Sequence, residues 1–217
     1  MSVSLSIYGL AGLVMVLLSF TFMTLNVTVL AVICRSQKLR VHTAYKFMLL
    51  MGVFDISQGC AHFITGLFTI MHYDAEHWMF QVLTVMASPG YQAYIFVTIL
   101  LAFHRFVLFC LPAKEKIIFS RVGVKIWFLL AALVFSAYAS VQLSGLVFQY
   151  YSIESLRLTY DTSRPWTSAR AEFVFYYEII GVLLAWAMYA AVLLKLVTTT
   201  LGRPEALIQS SKALMST

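Results

Sequence analysis

The chain has 217 residues, 61% of them drawn from AVILMFWYC, with 15 Lys and Arg against 9 Asp and Glu. An ordinary soluble domain is roughly 45–50% apolar and about 25% charged, and a chain of this length has too little interior to hide such a surplus from water. With a mean hydropathy of +0.86, the composition excludes a soluble globular enzyme, a disordered chain and a secreted disulfide scaffold. It predicts an all-α, polytopic transmembrane helix bundle.

A bilayer core of ~30 Å takes about 20 helical residues to cross. The first predicted span, about 6–34, meets no charge before Arg35. It lacks the basic leader of a secretory signal and is too long to be one, so it reads as a retained helix. The second, about 45–72, is interrupted only by Asp55. The third, about 80–111, holds no Asp, Glu, Lys or Arg before Arg105. The fourth, about 123–150, is uncharged from Lys125 to Glu154, and the fifth, about 171–197, carries Glu178 inside it. Residues 1–200 thus form the membrane bundle, and 201–217 form a tail. These runs far exceed the ~10-residue alternating segments of barrel strands.

The cations set an orientation. Arg35, Lys38, Arg40 and Lys46 follow span one; Arg105, Lys114, Lys116, Arg121 and Lys125 follow span three; Lys195, Arg203 and Lys212 follow span five. The loop with Asp74 and Glu76 has no Lys or Arg, and Arg157, Arg164 and Arg170 share their loop with Glu154, Asp161 and Glu172. The positive-inside rule then predicts an outer N-terminus and a cytoplasmic tail. The net charge of +6 is therefore a topology signal and gives no reason to expect nucleic-acid binding.

Each predicted helix except the first carries a polar or small-residue stripe at steps of three and four. Span two has Asp55, Gln58, Gly59, His62, Gly66 and Thr69; span three has Tyr91, Tyr94, Thr98, Ala102 and Arg105. Span four has Ser136, Ser140 and Ser144; span five has Glu178, Gly181, Ala185 and Tyr189. Such stripes are expected to face neighbouring helices rather than lipid. An ionisable group at mid-membrane costs at least ~2.5–3.5 kcal/mol unless it is paired, hydrated or protonated, so Asp55 needs a partner. Asn26 stands nine residues before Arg35, and Asp55 nine residues after Lys46. Both therefore lie roughly 13 Å above the cationic surface, where adjacent antiparallel helices would bring them together.

Chemistry-bearing constellations are otherwise sparse. Cys34, Cys60 and Cys110 lie in or beside apolar runs and read as small hydrophobes. The histidines fall on different loops and faces, with no metal-site spacing. His62 and His104 as haem ligands would differ in depth by several ångströms, and no second pair follows. No internal repeat of the transporter kind is visible. No cofactor and no catalytic group is expected.

Several of these residues sit in the helices where one superfamily keeps its signatures. They are Asn26, the Asp of "LLMGVFDISQG" (Asp55), the Arg of "LAFHRFVLFCLP" (Arg105), Pro112 after it, and Trp127 in "VKIWFLLAA". The chain from about Leu25 to Lys195 resembles the first five helices of a rhodopsin-like, seven-helix G-protein-coupled receptor. More narrowly, "YKFMLLMGVFDISQGCAHFITGLFTI" and "YIFVTILLAFHRF" resemble the nematode serpentine chemoreceptors of class T. The resemblance implies small-molecule detection in the plasma membrane of sensory cells, a heterotrimeric G protein as partner, and receptor oligomers. The inward-facing stripes place the ligand pocket at His62, Gly66, Tyr91, Tyr94 and Glu178, and the resemblance implies an internal polar network at Asn26 and Asp55 and a G-protein face at Arg105 and Pro112. The sequence departs from the pattern at His104, where an acidic residue usually precedes the Arg, and in lacking a proline in span five. It also reads as truncated before helices six and seven. Two other readings are a non-signalling membrane partner of full-length receptors and a small transporter or haem protein.

Overall fold

The computed structural model describes residues 2–73 and 77–201, so the expected tail beyond Leu201 and the acidic pair Asp74 and Glu76 lie outside the described residues. In chain order the elements are α1 (Ser2–Arg35), α2 (Gln37–Val41), α3 (Thr43–Met71), α4 (His77–Cys110), α5 (Pro112–Ile118), α6 (Arg121–Leu143), β1 (Gln149–Ser152), β2 (Arg157–Tyr160) and α7 (Thr167–Leu201). Helices α1, α3, α4, α6 and α7 are each long and apolar enough to cross a membrane. The chain is a multi-pass membrane helix bundle, with leucines and phenylalanines such as Leu17, Phe20, Leu183 and Leu194 exposed on its outer faces as a lipid solvent requires.

Helix α4 is the axis of the bundle: α3, α6 and α7 all pack on it, and α1 packs chiefly on α3. The α1–α3 seam is built on glycine. Gly52, Gly59 and Gly66 recur every seventh residue on the face of α3 that meets α1. A Cβ at Gly66 would lie 2.9 Å from Val16 Cγ2 and 3.2 Å from the Gly12 carbonyl oxygen, so no larger side chain fits between the two backbones. Close backbone approach through small residues is the usual means of joining helices in lipid, where apolar burial drives nothing.

Short caps turn the chain at the cationic end. Ser36 and Ser120 serve as N-caps, accepting hydrogen bonds from the Leu39 and Gly123 amides at 3.4 and 3.1 Å. Pro112 opens α5 at its first position, where its missing N–H costs nothing. Here Phe47, Phe119, Val107 and Val124 form a buried cluster that ties α3, α4 and α6 together.

The fourth span is shorter than expected. The uncharged run to residue 150 is helical only to Leu143; Ser144 caps the helix, and Gly145 follows with φ of +75°. A residue in the left-handed region just after the last turn is a common helix stop. Absence of charge marks depth in the bilayer but says nothing of backbone conformation, so the aromatic stretch beyond Gly145 passed for helix. It is instead the first strand of an antiparallel hairpin, with Gln149 opposite Tyr160 and Ser152 opposite Arg157. The serine stripe of this helix is also corrected. Ser136 and Ser140 are exposed, and Ser140 donates to the Ser136 carbonyl at 2.8 Å. A hydroxyl satisfied within its own helix can face lipid, so helical spacing alone does not turn it inward.

Candidate functional site

The hairpin closes one end of the bundle. Tyr151 of β1 is buried, its hydroxyl 2.9 Å from Thr69 Oγ1 on α3 and 3.5 Å from Met15 Sδ on α1. Beneath it lies a cavity of about 50 Å³ lined in part by Met15, His62, Thr65, Leu83 and Tyr151. His62 also lines the next cavity, of about 430 Å³, shared with Ser19, Asn26, Asp55 and Gln58. One side chain therefore joins the space under the hairpin to the polar groups at the middle of α1 and α3.

Asn26 and Asp55 interact through their side chains across α1 and α3, at the shared depth that helical arithmetic assigns them. Tyr94 on α4 lies within electrostatic reach of Asp55, and Tyr91 one turn above it lies within reach of Glu178 on α7. Glu178 accepts a hydrogen bond at 3.1 Å from Gln92 Nε2, and Tyr177 donates to the Gln92 carbonyl at 3.2 Å. Asn26, Asp55, Tyr94, Tyr91 and Glu178 thus follow one another across four helices as a polar belt held by two hydrogen-bonded pairs, Asn26 with Asp55 and Gln92 with Glu178, with His62 toward the hairpin and Tyr91 exposed. Of these, Asn26, Asp55 and His62 line one cavity, where a carboxylate, an amide and an imidazole can bind a small polar or cationic molecule by charge and hydrogen bonds.

Gly66 does not belong to it. It is buried against Val16, Met15 and Gly12, so its place is in the α1–α3 seam rather than in a pocket wall. The physical reason is its missing side chain, which lets α1 approach and leaves no open space there. The span-five stripe, in contrast, turns inward in its small residues: Gly181 sits against Ile95 and Ile99 and Ala185 is buried, while Tyr189 is exposed.

The other end of α4 carries Arg105. Its guanidinium is exposed and lies 5.9 Å from the centroid of the Tyr189 ring on α7, a cation–π distance. His104 is buried instead, edge-on to Phe119 at 4.7 Å and to Phe47 at 6.3 Å. Pro112 is exposed at the head of α5, and Trp127 donates its indole N–H to the Ile118 carbonyl at 3.3 Å. His62 and His104 stand at opposite ends of the bundle, and so cannot ligate one haem iron. Cys34, Cys60 and Cys110 are separate free thiols. Among the described residues no three His, Cys, Asp or Glu side chains converge on a metal-sized site.

A second polar cluster escaped the sequence reading. Arg170, which reads from sequence as a loop cation, lies in the first turn of α7 with only 7% of its surface exposed. Its Nη1 donates to Gln142 Oε1 and its Nη2 to Ser88 Oγ at 3.1 Å, while Gln142 Nε2 donates to Thr84 Oγ1 at 3.1 Å. Gln142 and Thr84 are fully buried. Tyr160, at the end of β2, completes the surroundings: burial pushes its phenol above the ordinary tyrosine range, and Arg170 pulls partly back. The only available signal was the hairpin itself, whose return fixes where α7 begins.

No family profile and no curated protein matches the chain. Solved structures do match: 172 chains resemble it in fold. Among them is the crystal structure of squid rhodopsin, with a TM-score of 0.76 at 12% identity, covering 97% of this chain and 60% of that one. The chain therefore spans 60% of the length of squid rhodopsin, and its five-helix bundle has the rhodopsin-like fold.

Proposed function

We propose that this protein is a G-protein-coupled-receptor-like membrane protein that takes a small molecule beneath the hairpin, with His62, Tyr91, Tyr94 and Glu178 contacting it. The observation that supports this reading is the set of polar side chains within a rhodopsin-like bundle: Asn26, Asp55 and His62 line a cavity of about 430 Å³ between α1 and α3, and Glu178 accepts a hydrogen bond from Gln92 between α7 and α4. In this reading the cationic end faces the cytoplasm, Arg105 and Pro112 present the G-protein face, and Asn26 and Asp55 form the internal network. The narrower likeness to nematode class T chemoreceptors makes the ligand an environmental chemical.

The test is expression in cultured cells with a heterotrimeric G protein whose subunit separation is read optically, challenged with volatile and water-soluble small molecules. A response is expected that falls at least tenfold in Glu178→Gln. In Arg105→Ala it is lost while ligand binding is kept. Silence to the whole panel by a chain present at the cell surface would overturn the signalling reading.

One feature supports a second reading, a non-signalling partner of full-length receptors. Carboxylates and an imidazole on an open side of a membrane bundle must be covered by protein or water rather than lipid. Stable recovery of a complex with full-length relatives from membranes is expected in that case, and recovery of monomer alone would remove it.

A further inference from the structure

The cationic end of the bundle holds an open concavity that the polar belt does not touch. A space of about 560 Å³ lies among α2, α3 and the head of α6, with Arg40, Lys46 and Arg121 in its walls beside Gln37 and Thr43. Arg40 and Arg121 are exposed and Lys46 is half-buried, so none of the three charges is sealed away. Among the described residues none of them pairs with a carboxylate; the ion pair found there is Arg164 with Asp161, beyond the hairpin. Glu115 on α5 lines a separate cavity, with His42 and His104. Three like charges around one space repel one another, and a low-dielectric wall strengthens the field that draws an anion in. Buried Phe119 and Val124 supply that wall.

Depth and charge narrow the occupant. Lys46 and Arg121 stand in the first turns of α3 and α6, both long and apolar enough to cross a membrane. The space therefore lies at the level of lipid head groups rather than of acyl chains. No residue of α4, the axis of the bundle, lines it, so it opens outward. A phosphomonoester carries a charge of about −1.5 to −2 and three acceptor oxygens, so two of them match three cations, and guanidinium forks suit phosphate oxygens. A singly charged head group leaves most of the positive charge unmatched. The volume falls within the ~300–1,000 Å³ of ligand sites, enough for a ring that carries both phosphates. An excess of cations at one end is ordinary topology, and Lys114, Lys116 and Lys125 are such cations, exposed and outside this space. Three cations and two neutral donors around one concavity are a narrower arrangement.

We propose that this concavity binds a membrane lipid whose head group carries two or more phosphomonoesters, of the polyphosphoinositide class. Arg40, Lys46 and Arg121 hold the phosphate oxygens, Gln37 and Thr43 donate to the oxygens that remain, and the acyl chains stay in the bilayer. The assignment uses no residue of the polar belt or of the G-protein face, so it stands apart from the receptor reading.

The test titrates the full chain in neutral-detergent micelles with dioctanoyl phosphatidylinositol bisphosphate and counts bound lipid by native mass spectrometry. Saturation at one lipid is expected. Arg40→Gln combined with Arg121→Gln is expected to weaken binding about tenfold or more. Lys114→Gln combined with Lys116→Gln removes the same charge from outside the space and is expected to leave affinity within about twofold. All four side chains are exposed, so both double variants are expected to fold, and thermal unfolding checks it. Equal loss in the two double variants would mean diffuse surface charge and overturn the proposal, as would unchanged affinity in the first. Competition by dioctanoyl phosphatidylserine at equal concentration would also overturn it, because a single charge would then suffice. Displacement of the lipid by an equal concentration of inositol trisphosphate would reassign the site to a soluble phosphate ester and overturn the lipid.

Discussion

Two polar clusters lie within the helices of this molecule, and they differ in what holds them. Asn26 and Asp55 sit midway along α1 and α3, half-buried, beside a cavity that reaches the hairpin. Arg170, Gln142, Ser88 and Thr84 join the head of α7 to α6 and α4, and three of the four are nearly or wholly buried. The first cluster can be relieved by water in its cavity or by protonation of Asp55. The second has neither outlet: a guanidinium stays charged at any physiological pH, and its surroundings are closed. A half-open acidic pair is suited to change with a ligand, whereas a closed basic cluster acts as a structural joint.

The largest expected effect follows from that difference. Gln142→Leu leaves Arg170 Nη1 and Thr84 without their partner in a closed site, and is expected to destabilise the bundle by about 3 kcal/mol. Thermal unfolding in detergent checks this. Gly66→Val comes next. A side chain there meets Val16, Met15 and the Gly12 backbone, and forcing α1 away is expected to cost about 1–3 kcal/mol. Its readout is faster proteolysis of a separated α1, which would leave the α6–α7 joint intact. Asp55→Asn is expected to change stability by only ~0.6 kcal/mol, the average for hydrogen bonds between membrane helices. If Asp55→Asn costs as much as Gln142→Leu, the distinction between an open and a closed cluster fails.

The open cluster was legible in the sequence and the closed one was not, for a physical reason. Asn26 and Asp55 lie inside uninterrupted apolar runs, so counting residues from Arg35 and Lys46 measures their depth. The five helices and the inward Gly181 and Ala185 of α7 were readable by the same period and length rules. Arg170 stands at the edge of a run, where charge, proximity to Glu172 and a loop of unknown path all argue for exposure. Only the hairpin, pairing Gln149 with Tyr160, shortens that path enough to seat Arg170 beneath it. The hairpin was itself hidden, because hydropathy cannot distinguish an uncharged strand from an uncharged helix end. Ser136 and Ser140 misled for a related reason, since each hydroxyl can hydrogen-bond to its own helix. Gly66 belongs to the α1–α3 seam, and its seven-residue spacing with Gly52 and Gly59 is the sequence signal for that place.

The smallest expected effect sits where the hairpin hands over to α7. Asp161 Oδ1 accepts hydrogen bonds from the Ser163 hydroxyl at 2.6 Å and the Ser163 amide at 3.0 Å, and Arg164 lies 3.4 Å from Oδ2. These bonds, the Ser163 hydroxyl foremost, hold its carboxyl below the ordinary aspartate value. A carboxyl with a depressed folded pKa stabilises the fold above its unfolded pKa, near 4, and loses that contribution as pH falls through the lower folded value. Asp161 stands at the surface with 29% of its side chain accessible, so the contribution is small and screened by salt. Asp161→Asn keeps an accepting oxygen and removes only the charge. Its melting temperature is expected to lie slightly below wild type at pH 7 and to converge with it toward pH 3. A gap that widens on acidification would mean the turn depends on the neutral acid, and the hairpin's hold on Arg170 would then rest on Thr167 Oγ1, which donates to the Asp161 carbonyl at 2.8 Å.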